Sequence, residues 1–302
     1  MKTELRTQFN TGHSGAIESA VCYWHKRFAI IGLVFFFALT GLVGPSSEPA
    51  KAAQSLEQRL NALSTEDLEE LFTFVAGNSL FTLYHEGGHM LVSELGLPVL
   101  GQEEDAVDNL ATVIMLAAEN EDMDVYLSNA MIGWFLISEE NYESLVFYGE
   151  HDLNQQRGFR MLCLMVGSDE DTFGELARDL DLPDERAQRC QFDYDQASLS
   201  WEAVTDQHAR TSGTPGGRIA VSHEPADQNL DLMEIFLHES ELLEITAEQF
   251  DTMFALPQQV KFTAKMCGVE NAYWDPSARE VTLCYELMAG FAEVYLDLLA
   301  NN

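Results

Sequence analysis

Residues 84–90 read YHEGGHM, with His85 and His89 four positions apart and Glu86 beside the first of them. On a helix that spacing puts the two imidazoles about 40° from each other around the axis and about 6 Å apart along it, so both rings can reach one ion. A carboxylate next to such a pair can take a proton from a water on that ion. This is the chemistry that H-E-x-x-H supplies in zinc hydrolases. Gly87 and Gly88 lie between the histidines and cost the helix about 1 kcal/mol each relative to Ala, which implies close approach of another backbone.

A catalytic zinc site needs a third protein ligand and an open position. The nearest carboxylates downstream are Glu103, Glu104 and Asp105, followed by Asp108. Acids at a helix start also complement its dipole, so each of the three has a purely structural alternative. The faces of the expected second helix separate them. Glu103 shares a stripe with Val107, Leu110 and Ile114, expected in the core; Asp105 shares one with Asn109 and Thr112, expected in solvent. Glu104 lies with Asp108, Ala111 and Met115 at the border, where a cleft wall belongs. Glu104 is therefore the expected ligand, with Glu103 as rival and Asp108 as an outer carboxylate that orients a ligating imidazole. His151, just before a helix that Asp152 and Gln155 would cap, is the candidate donor to a developing oxyanion. Tyr148 and Tyr285 are weaker candidates, with core packing as the default. His208, His223 and His238 have no partner spacing and read as surface residues.

These residues must be held by particular elements. Leu60, Leu63, Leu68, Leu71, Phe72 and Val75 recur at helical spacing, with a start signal at Ser64 and Asp67 inside the run. Residues 80–95 continue as a helix with one packed face and a neighbouring face for the histidines. Gly96, Pro98 and Gly101 then end it and reverse the chain. A second helix starts within residues 102–118 and brings its acids back towards His89. Further amphipathic helices are expected at 125–142, at 154–167 and from residue 184 to 190. Residues 211–218 form a loop, and residues 230–254 are helical. Near the end, Val260, Phe262 and Ala264 alternate, as do Val281, Leu283 and Tyr285, with a turn signal at residues 275–277. That pattern predicts a small antiparallel sheet, closed by a final helix over residues 289–300. The class is α+β, predominantly helical.

The compartment is addressed by the opening residues. His25, Lys26 and Arg27 precede an apolar run at 28–44, and residues 50–52 read AKA, the form of a signal-peptide cleavage site. Residues 1–52 are thus expected to be a leader and 53–302 a single domain; the alternative is a retained membrane anchor. Of 16 Lys and Arg and 50 Asp and Glu, five and three precede residue 53, which leaves 11 against 47 and a formal charge near −36. Such a surface excludes nucleic acid and anionic membranes as stable partners. Four cysteines remain after the leader, and their proximity in sequence favours Cys163 with Cys190 and Cys267 with Cys284. Four buried thiols are the alternative.

Three stretches, LFTLYHEGGHMLVSELGLPVLGQEEDAVDNLAT, HDLNQQRGFRMLCLMVG and NAYWDPSAREVTLCYEL, carry a resemblance to a metallopeptidase family of exported bacterial proteins long known as a domain of unknown function. The resemblance implies a zincin-type hydrolase that binds Zn2+ and cleaves a peptide or protein substrate. It also implies a glutamate ligand in an E-x-x-x-D form, which Glu104 and Asp108 match. The metzincin pattern is not met, because Val92 and Leu95 stand where Gly and a third His are required. The expected function is a zinc peptidase with Glu86 as general base. The alternative is a non-catalytic, metal-stabilised binding or envelope-assembly protein.

Overall fold

The computed structural model describes residues 55–138, 145–214, 216–227 and 229–301, so the expected leader lies outside the described residues. A short helix, α1 (Leu56–Leu60), is followed by the 31-residue α2 (Thr65–Leu95). The break falls at Ser64, whose Oγ accepts from the backbone N–H of Asp67 at 3.1 Å. The run up to Val75 and the motif segment at 80–95 form one continuous helix through residues 77–79. Their small and polar residues do not interrupt it because they are used in packing. A Cβ on Gly77 would sit 2.3 Å from the Tyr126 carbonyl oxygen, and Asn78 donates to the carbonyls of Phe74 (2.9 Å) and Asn129 (3.2 Å). From Leu71 to Leu91 almost every side chain is buried, so α2 is enclosed on nearly all sides. It ends where expected, at Gly96, whose φ of 62° is the left-handed cap that glycine adopts without a Cβ penalty.

Helix α3 (Glu103–Leu116) then returns along α2, and α4 (Glu121–Leu136) packs on α2 after an Asn120 cap. Next come α5 (Asn154–Ser168), α6 (Glu170–Asp179) and α7 (Asp184–Thr205). Helix α6 has no counterpart in the sequence reading, although Asp169 caps it by accepting from the Thr172 N–H at 3.1 Å. Helix α7 runs well past its expected end at Cys190. The sulfurs of Cys163 on α5 and Cys190 on α7 are at bonding distance, as are those of Cys267 and Cys284, and these are the two local pairings.

The expected helical stretch at 230–254 divides into α8 (Asp231–Ser240) and α9 (Leu242–Met253) at Glu241, whose φ is 53°. The strands are β1 (Ile219–His223), β2 (Val260–Lys265), β3 (Ala272–Asp275) and β4 (Glu280–Cys284), and α10 (Tyr285–Asn301) follows β4 directly. The α+β class holds, with helix dominant and the sheet mostly near the C-terminus. The pairing needs correction, because the sheet is mixed. Its order is β1-β2-β4-β3; β2 is parallel to both β1 and β4, and only β3 and β4 are antiparallel. The reason is connectivity. The α8–α9 crossover brings β2 in parallel to β1, and the β3–β4 hairpin places β4 between β2 and β3. Asp275 Oδ1 accepts from the N–H groups of Ser277 (2.8 Å) and Ala278 (3.1 Å), which makes the expected turn.

One continuous cluster of buried side chains joins α2, α3, α4, α5, α7, α9, α10 and the sheet. Strand β3 packs against α2, and Arg279 at the hairpin donates to Glu94 near the end of α2 at 2.9 Å. The motif helix is thereby held between α3 on one side and the sheet edge on the other. Among the described residues no helix is long and apolar enough to cross a membrane.

Candidate metal centre

His85 and His89 project from the second half of α2 with ring centroids 4.9 Å apart, as their spacing dictates. Gly87 and Gly88, between them, allow close packing, but the neighbours are side chains and not the backbone that was expected. A Cβ on Gly87 would lie 2.2 Å from the Phe250 ring of α9, and one on Gly88 would lie 2.9 Å from Val107 of α3. The two glycines let α9 and α3 close on the helix at the level of the histidines.

Packing α3 at that distance brings Glu104 to the pair. Its Oε2 lies 3.1 Å from His85 Nε2 and 3.2 Å from His89 Nε2, and the two Nε2 atoms are 3.3 Å apart. These near-equal separations match the edge of a tetrahedron whose centre is about 2.0 Å from each vertex, the distance at which imidazole nitrogen and carboxylate oxygen hold zinc. His85, His89 and Glu104 can therefore hold a metal ion together.

The other imidazole nitrogens are engaged from behind. His85 Nδ1–H donates to Asp108 Oδ1 at 2.7 Å, and His89 Nδ1–H donates to Glu103 Oε1 at 2.8 Å. Each ring is thus held with its Nε2 lone pair turned to Glu104, an arrangement that needs a cation or a proton in the middle. Burial alone would lower the His85 pKa, but hydrogen bonds to Asp108 and Glu104 outweigh it and raise it to about 9. His89 is raised for similar reasons, with burial again opposed by Glu104 and Glu103. Glu104 would be raised by burial, yet the two histidines hold it well below the usual carboxylate range. Asp108 is pulled down to about 2, against its burial, by His85 and by Arg157.

Glu86 is 9% exposed, and its pKa is raised by burial, with His85 and His89 pulling in the opposite direction. The backbone of Trp274 on β3 also favours its ionised form. Glu86 and the three candidate ligands line a cleft of about 610 Å³ whose opposite wall is the β3 segment, with Asn271, Ala272, Tyr273, Trp274 and Pro276. His151 stands at its mouth, with a half-exposed side chain and Nδ1 3.2 Å from Glu104 Oε2. Its pKa is lowered, first by burial and then by the Arg157 charge.

Other candidates fall elsewhere. Asp105 turns away to Arg160 at 2.7 Å. Glu103 does not join the core stripe: its side chain is 46% exposed, because α3 presents it beside His89 at the rim. Thr112, expected in solvent, is buried and donates to the Asp108 carbonyl at 2.9 Å. Helix α5 is not capped by Asp152 and Gln155. Asp152 pairs with Arg160, and the N-cap is Leu153, whose N–H donates to Gln156 Oε1 at 3.2 Å. Tyr148 is fully exposed where core packing was the default, while Tyr285 is buried and donates to the Glu224 carbonyl at 2.9 Å. His223 is not a lone surface residue, since its Nε2 is 2.7 Å from Glu244 Oε1 and its ring is 5.4 Å from that of His238.

Two features around the site, one in the cleft wall and one behind the ligands, have no counterpart in the sequence reading. Strand β3 was hidden in a turn-rich stretch. Arg157 sits on the stripe of α5 that also carries Met161, Leu164 and Met165, and a charge on an otherwise apolar stripe was the available signal.

A family model described as "Putative metallopeptidase" matches residues 49–204 and 222–299, most of the 302-residue chain. Neither a curated protein nor a solved structure matches it.

Proposed function

The chain belongs to this metallopeptidase family, DUF4344, and on that premise we propose that it is a zinc-dependent peptidase whose centre is held by His85, His89 and Glu104. The observation that carries the reading is the convergence of these three donors at an open cleft, with the buried Glu86 carboxylate beside them. When bound, the ion would supply Lewis acidity towards the scissile carbonyl and would make a water acidic enough to lose a proton near neutral pH. Glu86 accepts that proton and returns it to the departing amine. Its burial favours this exchange by bringing the carboxyl closer to the working pH. Asp108 and Glu103 keep the imidazoles in one tautomer through their Nδ1–H bonds. His151, at the mouth of the cleft, donates to the oxygen on which charge develops.

Strand β3 is one edge of the sheet and a wall of the cleft, so an extended peptide can lie along it. We further propose export after loss of residues 1–52, with residues 53–302 as the working unit. The two disulfides fit an oxidising compartment, and the acidic composition disfavours nucleic acid and anionic membrane partners. The test is metal analysis of the purified protein together with hydrolysis of a mixed peptide library. About one zinc per chain and cleavage that Glu86→Gln abolishes are expected. Tightly held zinc without cleavage of any peptide would instead favour a metal-stabilised binding or envelope-assembly protein.

A further inference from the structure

Behind the candidate ligands lies a buried cation that, among the described residues, is paired with one carboxylate. Arg157, in the first turns of α5, is 8% exposed. Its Nε donates to Asp108 Oδ2 at 2.7 Å and its Nη2 to Asp108 Oδ1 at 2.8 Å, so the guanidinium grips the carboxylate with both prongs. Its far side is closed by the Trp134 ring of α4, whose centroid is 3.6 Å from Cζ. Asp108 Oδ1 is the same oxygen that receives the His85 Nδ1–H bond. A continuous path therefore runs from Trp134 through Arg157 and Asp108 to His85, across α4, α5, α3 and α2.

Each link constrains the next. His85 offers Asp108 one donor, which leaves the carboxylate free to turn about its Cβ–Cγ bond. The planar guanidinium removes that freedom, because two parallel hydrogen bonds fix both oxygens in one plane. A lysine in its place would supply a point charge without the fork. Stacking on Trp134 in turn fixes the guanidinium plane.

We propose that Arg157 is a positioning residue for the metal centre: by clamping Asp108 against Trp134 it sets the direction of the His85 Nε2 lone pair and so tunes metal affinity without touching metal or substrate. The proposal rests on the metal-site reading above and assigns a role to a residue outside the H-E-x-x-H and E-x-x-x-D patterns.

The test uses the full chain with zinc and cobalt(II) as probes. Zinc affinity is measured by competition with a chelator, cobalt site geometry by its visible absorption, and folding by circular dichroism. Arg157→Met is expected to bind zinc 10–100-fold more weakly and to shift the cobalt bands, the usual size of an outer-shell loss, and Arg157→Lys is expected to recover only part of the affinity. In an Asp108→Asn background the Arg157→Lys change should have little further effect, because the link through which it acts is already cut. The cycle tests whether the effect passes through Asp108, and a shift of the cobalt bands in a variant that folds like the parent separates positioning of the site from a merely structural role. If Arg157→Met does not fold, the Lys variant alone and with Asp108→Asn decides the question. A folded variant with unchanged zinc affinity and unchanged cobalt bands, or losses that simply add, overturns the proposal. If the parent protein itself binds no zinc, the metal-site reading falls and this one with it; if the parent binds and the Arg157 variants match it, only this one falls.

Discussion

Two histidine pairs among the described residues, His85 with His89 and His223 with His238, each have a glutamate at hydrogen-bonding distance, and of these two only the first is arranged to hold an ion. His85 and His89 share one helix, and their Nε2 atoms meet Glu104 at 3.1 and 3.2 Å. His223 comes from β1 and His238 from α8; their rings are 5.4 Å apart, but Glu244 contacts only His223, and His238 is exposed. Ring proximity is therefore a poor guide. The first pair has its outer nitrogens held by Asp108 and Glu103, so both lone pairs are aimed at one point. The second pair has no such backing. His223 spends its Nε2 on the carboxylate, and among the described residues its buried Nδ1 meets no donor or acceptor. The glycines sharpen the contrast. Gly87 and Gly88 admit α9 and α3 close to the first pair, which is how a carboxylate from another helix reaches it.

The strongest way to break the contrast is to delete the imidazoles. His85→Ala or His89→Ala is expected to leave the protein without zinc after dialysis and without hydrolysis, whereas His223→Ala and His238→Ala keep both; metal analysis of the four variants decides. Equal zinc loss in both sets would mean that the ion sits elsewhere.

Glu86→Gln separates holding the ion from using it. Zinc should stay at the parental level while hydrolysis falls by about 10²–10⁴, the contribution of a general base. Loss of zinc from a folded Glu86→Gln protein would show that Glu86 is a ligand.

The carboxylates around the first pair should form a graded series. Glu104→Ala is expected to weaken zinc binding most, Asp108→Asn by about 10–100-fold, and Glu103→Ala least, as measured against a chelator. A result in which Glu103→Ala is the damaging change moves the third ligand by one residue.

A smaller effect comes from pH. With no metal bound, the His85 pKa is raised to about 9, above its unfolded value. Its contribution to folding is therefore full below about 6.5 and is lost as the pH rises through about 9. Over the same window the proton ceases to compete with the ion, so the rise in Tm on adding zinc should grow from pH 6.5 to 9. A zinc-induced Tm shift that does not change with pH would mean that no histidine proton is displaced.

The smallest effect belongs to the second pair. Glu244 is 41% exposed, so its bond to His223 is worth at most about 1 kcal/mol. His223→Ala should lower Tm by a few degrees at most and leave zinc affinity unchanged. A large drop would show that this cluster supports the sheet in a way its exposure does not suggest.

What could be read without the fold was whatever depends on short separations. The histidine pair follows from the 3.6-residue repeat, which acts over four positions and needs no partner. The stop at Gly96, the start at Ser64 and the hairpin turn at Asp275 are equally local, since a cap or turn is satisfied within a few residues. That Glu104 comes close to the histidine pair could be read because α3 follows α2 after a short connection, so the stripes of one helix constrain what faces the other. Helix α6 and strand β1 escaped because their patterns are short and their stability comes from neighbours distant in the chain. The mixed sheet escaped for a related reason: parallel pairing is decided by how α8 and α9 cross over, and alternation reads the same in either direction. Only the tertiary structure could set Trp274 opposite Glu86, or bury Arg157 between Trp134 and Asp108. Those contacts join residues separated by 188, 23 and 49 positions, and the energy that holds them, burial against a matched charge or ring, exists only once the helices have packed.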